Sequence, residues 1–487
     1  MTSATYREVE TNAPTLREIL VALSFALDLT EGAVPGHAIR SCLLAVRLAR
    51  AVGLEQRQIS DLYYASLLKD VGCSSNSARM CQIVGGDDRA VKAGAKLADW
   101  TRPFRPQPST MKMLWRQVLP GASALSRGLR IVKLAATQHE NNRQLIELRC
   151  DRGAMIVYKL GLAHETALGV RHLDEHWDGG GYPKGLKGQE IPVLSRLISV
   201  AQHLDAFCME MGPQAAIDTL VERSGRWFDP ELARAACGLD QSRRLFEHCL
   251  PSDPVEETRA AILRLNAEDQ TRLSGVDIDS ICETFADVVD TKSPFTYRHS
   301  LGVMDAAVAI GSVLGLAPDR MRVLRRAALL HDIGKLAISN TILDKPTRLT
   351  DAEMDVVKTH PGIGAQILGH VDAFGEVAVL AGEHHEKLDG TGYPNGLHGR
   401  DLSLESRLLA VADIYGALSE ERPYRAGLEP AQIAAIMERD VPAKLDGECY
   451  EALRTVMNDA KWSSAGARQP SADRWSLRDF DMVEAYI

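Results

Sequence analysis

Along most of this chain the apolar residues recur every three or four positions. TLREILVALSFALDL (15–29), SCLLAVRLARAVGL (41–54), MRVLRRAALLHDIGK (321–335) and SLESRLLAVADIYGALS (403–419) each present one apolar stripe at helical spacing. Ala, Leu, Glu and Arg dominate these stretches and favour helix. Leu316-Ala317-Pro318-Asp319 breaks one helix and restarts the next. Strand-like alternation is missing, apart from short pairs near the Gly-rich loops. The pattern predicts an all-α protein.

The pattern also repeats. WDGGGYPKGLKGQEIPVLSRLISVAQHLDAF (177–207) aligns without a gap on LDGTGYPNGLHGRDLSLESRLLAVADIYGAL (388–418), and LLKDVG (67–72) on LLHDIG (329–334). His37 precedes Lys69 by 32 residues, and His299 precedes His331 by the same 32. So long a period means duplicated domains rather than a solenoid. The expected organisation is a loose N-terminus (1–14), a first copy (15–252), a linker (253–272), a second copy (273–430) and a C-terminal helical extension with a tail (431–487). The first copy carries extra sequence at about 73–128, including the Pro-rich TRPFRPQPST, which reads as a surface excursion without a part in chemistry.

With 487 residues, 45% hydrophobic and 25% charged, the chain is that of an ordinary soluble protein. No apolar run approaches the length of a membrane span, and the acidic N-terminus does not resemble a signal peptide. Nine scattered cysteines, with no C-x-x-C pair, fit a reducing compartment, so a cytoplasmic protein is expected. A net charge of −9 argues against general nucleic-acid binding but leaves room for a small anionic substrate.

The second copy concentrates chemistry. His299, His331-Asp332, His360, His384-His385 and Asp413 all fall within one helical unit. A lone helical histidine is most often a satisfied core residue, but seven imidazoles and carboxylates flanked by apolar helix would be costly as core filling. They form a donor set suited to Fe, Mn or Zn. Adjacent residues on a helix diverge by about 100°, so His331-Asp332 and His384-His385 suit two neighbouring ions, with a shared Asp between them. Such a pair can hold a bridging hydroxide and act on a phosphoester. Lys335 could neutralise a phosphate oxygen or the leaving oxygen. The loop Asp389-Gly390-Thr391-Gly392-Tyr393-Pro394 lacks the features of a P-loop and reads as a rigid turn holding His384-His385. Arg422 and Arg425 offer guanidiniums for phosphate or guanine.

These motifs, HSLGV (299–303), HDIGK (331–335), HP (360–361), HHEKLDGTGYP (384–394), VADIYGAL (411–418) and RPYR (422–425), resemble the HD-GYP family of metal-dependent phosphohydrolases over about a third of the chain. The resemblance implies two tandem HD-type domains, the second with a binuclear iron or manganese centre. It implies hydrolysis of cyclic di-GMP to pGpG or GMP, with His299, His331, Asp332, His360, His384, His385 and Asp413 as ligands and Asp332 bridging. On that pattern Lys335 assists at phosphorus, and Arg422 and Arg425 contact the nucleotide. Relatives with a third metal carry a Glu four residues before the first His. Phe295 stands there, so two ions are expected, with Asp290 a possible further donor.

In the first copy Lys69, Cys73, Arg149, Leu173 and Gln202 replace His331, Lys335, His360, His384 and Asp413. Only His37, Asp70 and Asp174 remain as candidate ligands, so a scaffolding, dimerising or regulatory copy is expected. The alternatives are another phosphoester substrate such as cyclic GMP-AMP or a nucleotide, or a low-turnover signalling protein. The latter would bind a cyclic dinucleotide or a diguanylate cyclase (GGDEF) domain through the GYP surface.

Overall fold

The computed structural model describes residues 14–99, 108–265, 275–296, 298–420 and 427–459. Among them every regular element is a helix. Isolated β bridges join Ser224 with Phe228 and Asp389 with His398, the latter within the second Gly-rich loop. The chain forms two compact units. One comprises Met1–Ile278 with Leu336–Leu343 and Val371–Ala373, and the other comprises Asp279–Lys335, Asp344–His370 and Phe374–Ile487.

In the first unit Leu16–Thr30, His37–Ala51, Gln56–Leu68 and Val193–Met211 pack around a core that includes Ile19, Leu44, Leu67 and Ile198. Thr15 and Glu18 form a capping box that starts the first helix. Three boundary expectations are corrected here. The stretch beginning at 253 is not simply a linker: Val255–Leu265 is a helix that buries Thr258, Ala261 and Ile262. The insertion at about 73–128 is not a surface excursion, because its helix Asp88–Leu97 sends the buried Lys92 inward. Residues 336–343 belong to this unit because the buried Asp88 carboxylate accepts hydrogen bonds from Ser339 Oγ (3.1 Å) and Asn340 N (2.9 Å).

In the second unit His299–Val313 packs against Pro318–Leu330 and Leu404–Ser419, while His360–Leu368 packs against Gly375–Glu383. The expected C-terminal extension is part of this core. Gly447–Met457 lies on both His299–Val313 and Leu404–Ser419 and buries Cys449, Tyr450 and Leu453, because its Asp446 cap and apolar face match them. Residues 460–487 lie outside the described residues, as do 1–13.

The two units share details that sequence alignment alone does not establish. His37 and His299 each open a helix of 15 residues. Nine residues upstream, Asp28 accepts from Gly36 N and Ala38 N, and Asp290 accepts from Ser300 N and Ser300 Oγ. A Cβ on Gly72 would lie 1.9 Å from Arg149 O, and one on Gly334 would lie 2.0 Å from His360 O. The same backbone crossing therefore recurs in both, and it pairs Arg149 with His360.

Candidate metal centre

Helix ends bring the second-copy histidines together. His331 and His384 directly follow the last turns of Pro318–Leu330 and Gly375–Glu383, while His299 and His360 begin their helices. The final carbonyls of a helix have no partner within it. His331 Nδ1 takes Ala328 O at 2.7 Å, His360 Nδ1 takes Val357 O at 2.7 Å and His384 Nδ1 takes Ala381 O at 2.6 Å. A carbonyl only accepts, so each Nδ1 carries the proton and each Nε2 turns a lone pair inward. His299 reaches the same state differently, through Glu420 Oε2 2.9 Å from its Nδ1.

The inward atoms divide into two groups around one carboxylate. Asp332 Oδ2 lies 3.6 Å from His299 Nε2 and 3.4 Å from His331 Nε2. Asp332 Oδ1 lies 3.2 Å from His360 Nε2 and 3.8 Å from His384 Nε2. Asp413, on Leu404–Ser419, places Oδ1 3.3 Å from His299 Nε2 and Oδ2 3.7 Å from His385 Nδ1. Three sets of donor atoms fall within 4.8 Å of one another: His360-His384-His385, His299-His331-Asp332 and His331-His384-Asp413. All seven sequence-predicted ligands are thus gathered, with Asp332 between two clusters.

Metal ions fit these residues. His360 Nε2 and His384 Nε2 approach to 3.2 Å with both lone pairs facing, a repulsive arrangement that a cation between them relieves. His331 Nε2 and Asp332 Oδ1 are buried without a hydrogen bond of their own. Burial alone would raise the Asp332 carboxyl, but His331, Lys335 and His360 outweigh it and hold the group well below the usual carboxylate range. Asp413 is likewise held low against burial, by His299, His331 and His385. Burial pushes His384 well down and His385 down to about 3, so both offer neutral imidazole.

Lys335 sits in the short helical turn Ile333–Ala337, past the end of the preceding helix, with Nζ 2.5 Å from Asp332 Oδ2. The GYP loop is a brace, as its sequence suggests. Glu386 accepts from Asn395 N at 2.7 Å and Leu397 N at 2.9 Å, Tyr393 N donates to His385 O, and the Tyr393 ring stacks near His385 at 4.8 Å. Asp389 ties the loop internally by accepting from Thr391 N, while Gly390 takes a positive φ of 75°. A Cβ on Gly392 would collide with Lys387 N at 2.4 Å, and Tyr393–Pro394 is cis, as is Tyr182–Pro183 in the first copy.

Asp290 is not among the convergent donors. Its two oxygens cap the start of His299–Val313, the role Asp28 plays in the first copy, which closes the possibility of a further donor there. Arg422 and Arg425 lie outside the described residues. Sequence reasoning missed Glu420, the partner of His299. Its only signal is its place one residue after Leu404–Ser419, on the helix that carries Asp413.

Among the described residues the first copy holds no such donor set. Asp70 is ion-paired with Lys69, Asp174 is paired with Arg149, and His37 Nδ1 is 2.6 Å from Asp205 Oδ2. Asp205 aligns with Gly416, where any Cβ would crowd Val303 at 2.9 Å and approach His299. Glu31, Asp70 and Cys73 lie close enough to share an ion, but Lys96 Nζ already stands 3.2 Å from Glu31 Oε2 and 3.5 Å from Asp70 Oδ1. An ammonium from the insertion fills the place of a metal.

Residues 129–232 and 283–449 match the protein family described as HD domain. The chain is 37% identical over 451 residues to the 3'3'-cGAMP-specific phosphodiesterase 3 of Vibrio cholerae, covering 92% of this chain and 96% of that protein. It is 37% identical over 182 residues to the cyclic di-GMP phosphodiesterase PA4108 of Pseudomonas aeruginosa, covering 37% of this chain and 41% of that one. The crystal structure of the cyclic GMP-AMP specific phosphodiesterase V-cGAP3 of V. cholerae aligns with a TM-score of 0.63 at 32% identity, over 92% of this chain and 98% of its own.

Proposed function

Because this chain belongs to the HD-GYP family of metal-dependent phosphoric diester hydrolases, we propose that its second copy hydrolyses a cyclic dinucleotide, with 3'3'-cyclic GMP-AMP the first candidate and cyclic di-GMP the second. The order follows from the similarity along nearly the whole chain to a protein named for the former. The reading rests on one observation: four imidazoles, locked by their Nδ1 partners, converge with Asp332 between them.

His299, His331, Asp413 and Asp332 Oδ2 would hold one ion, and His360, His384, His385 and Asp332 Oδ1 a second. Iron or manganese suits such imidazole and carboxylate donors. Two such ions supply Lewis-acid charge at phosphorus and water acidic enough to attack at neutral pH. Lys335, the partly exposed cation beside Asp332, offers Nζ to a phosphoryl oxygen and a proton to the departing 3' oxygen. Arg422 and Arg425 bind the nucleotide on this reading. The Glu386 brace holds the His385 backbone and the Tyr393 ring at the opening. Nine free cysteines, most of them buried, suit action in the cytoplasm. Among the described residues no helix is long and apolar enough to cross a membrane.

The test is a substrate panel on protein loaded anaerobically with Fe(II) or Mn(II), comparing cyclic GMP-AMP, cyclic di-GMP and mononucleotides by kcat/KM. Linear dinucleotide or mononucleotide product from a cyclic dinucleotide, lost in Asp332→Ala, supports the reading. Tight binding without product from fully loaded protein overturns it.

A further inference from the structure

We propose that the first copy is a metal-independent binding site for a small organic anion with an apolar body, seated where the insertion closes over the replaced metal centre. The proposal does not depend on the substrate of the second copy.

A cavity of about 480 Å³ lies wholly within the first unit, in the size range of sites that enclose drug-sized ligands. Its lining combines two chemistries. Met80, Ile83, Val91, Leu114, Ile131 and Leu134, all from the insertion and its continuation, make an apolar wall. The same lining carries Lys96, Asn142, Arg149 and Gln202, of which Arg149 and Gln202 stand where the aligned copy has His360 and Asp413. A packed remnant would have closed on itself. Here the insertion instead holds a space open above the residues that replaced the ligands.

Charged groups gather along one part of its lining. Lys92, Lys96 and Arg149 are paired there with Glu31 and Asp174, Lys96 also reaches Asp70, which pairs with Lys69, and Asp99 on the same lining is paired with Arg226. Lys96 and Arg149 keep some exposure, with side chains 14% and 18% accessible, and both line the cavity. A carboxylate or phosphate monoester can reach them while its hydrocarbon or aromatic body meets the apolar wall. Asn76, 2% exposed on the cavity lining, leaves its Oδ1 without a hydrogen-bond partner and can accept from a ligand hydroxyl or amine.

The experiment titrates the full-length, metal-loaded protein with decanoate and with decyl phosphate below their micellar concentrations, following heat and Trp fluorescence (Trp227 lines the cavity). Inorganic phosphate tests the head group alone, and decan-1-ol the body alone. The expected result is saturable one-to-one binding of at least one amphiphilic anion, at least tenfold tighter than either fragment. Lys96→Met and the cavity-filling Ala135→Trp each weaken it at least tenfold, whereas His360→Ala and chelation of metal change it less than twofold. Ala135 is exposed on its helix, so that variant keeps the test decisive if Lys96→Met fails to fold. Absence of saturable binding overturns the proposal. So does binding that survives Ala135→Trp unchanged, or that disappears with His360→Ala or chelation.

Discussion

Gly334→Ala tests how tightly the backbone crossing behind His360 fixes the metal centre. An added Cβ would stand 2.0 Å from His360 O, 2.8 Å from His360 C and 2.9 Å from Gly364 N, all backbone atoms that no rotamer change can move. Real contacts of this kind stay above about 3 Å, so the start of His360–Leu368 must retreat by about 1 Å, at an overpacking cost of about 1–3 kcal/mol. His360 Nε2 now lies 3.2 Å from both Asp332 Oδ1 and His384 Nε2, and ligand distances tolerate only about 0.2 Å. A misplacement of about 1 Å costs about 100-fold in rate. The variant should therefore fold with a lowered Tm, lose first the ion proposed for His360, His384 and His385, and lose about two orders of magnitude in kcat. Gly72→Ala is the matched control. It makes the same collision against Arg149 O at 1.9 Å and should lower Tm without emptying the metal centre. Metal analysis of gel-filtered protein, with Tm and kcat, decides. Gly334→Ala with full metal content and wild-type kcat would refute the reasoning.

Further outcomes follow from the same geometry. Glu420→Gln keeps the size of the partner of His299 but removes its charge, and metal affinity should fall about 10–100-fold at the His299-His331 position, read by competition with a chelator. Asp332→Ala removes a buried carboxylate that faces both donor groups, so both ions and all phosphodiesterase activity should be lost together, read by metal analysis and product formation. The first copy should weaken in acid. Burial pushes His37 down to about 4 and His176 and His203 to about 3, so between about pH 4 and 6.5 the unfolded chain binds up to three protons that the fold refuses. Burial raises Asp28 to about 7, so over the same range the fold holds one proton that the unfolded chain lacks. The net difference of about two protons makes stability rise with pH by up to about 2.7 kcal/mol per unit near pH 5, and the rise fades towards zero by about pH 7 as the unfolded histidines lose their protons. Hydrogen exchange along Val193–Met211 at pH 5 and pH 7 measures this, and equal protection at both would contradict it.

Much of this is legible in the amino-acid sequence alone. Helical periodicity specified the class, and the gapless repeat specified two copies, because both are local patterns that packing does not override. The seven donors were legible because polar residues in apolar helix need a reason to be there. Glu420 was not, since a single acid after a helix looks like any surface residue until its contact with His299 Nδ1, 121 residues away in sequence, is seen. Asp290 is the converse case: a carboxylate near the first ligand stays open as a further donor until Ser300 is seen to take both its oxygens. The insertion failed because proline and polar residues mark loops without saying which way the neighbouring helices turn. Lys92 turns inward to Cys73 O and Ser77 Oγ, and Lys96 to Glu31 and Asp70, partners that lie elsewhere in the chain.

The most direct test of the central claim is anomalous diffraction at the iron and manganese edges from crystals grown without oxygen. The account predicts two peaks in the second copy, about 3.5–4 Å apart, on either side of the Asp332 carboxylate, and none beside Lys96 in the first. A second copy without a peak, or an ion bound among Glu31, Asp70 and Cys73, would contradict it.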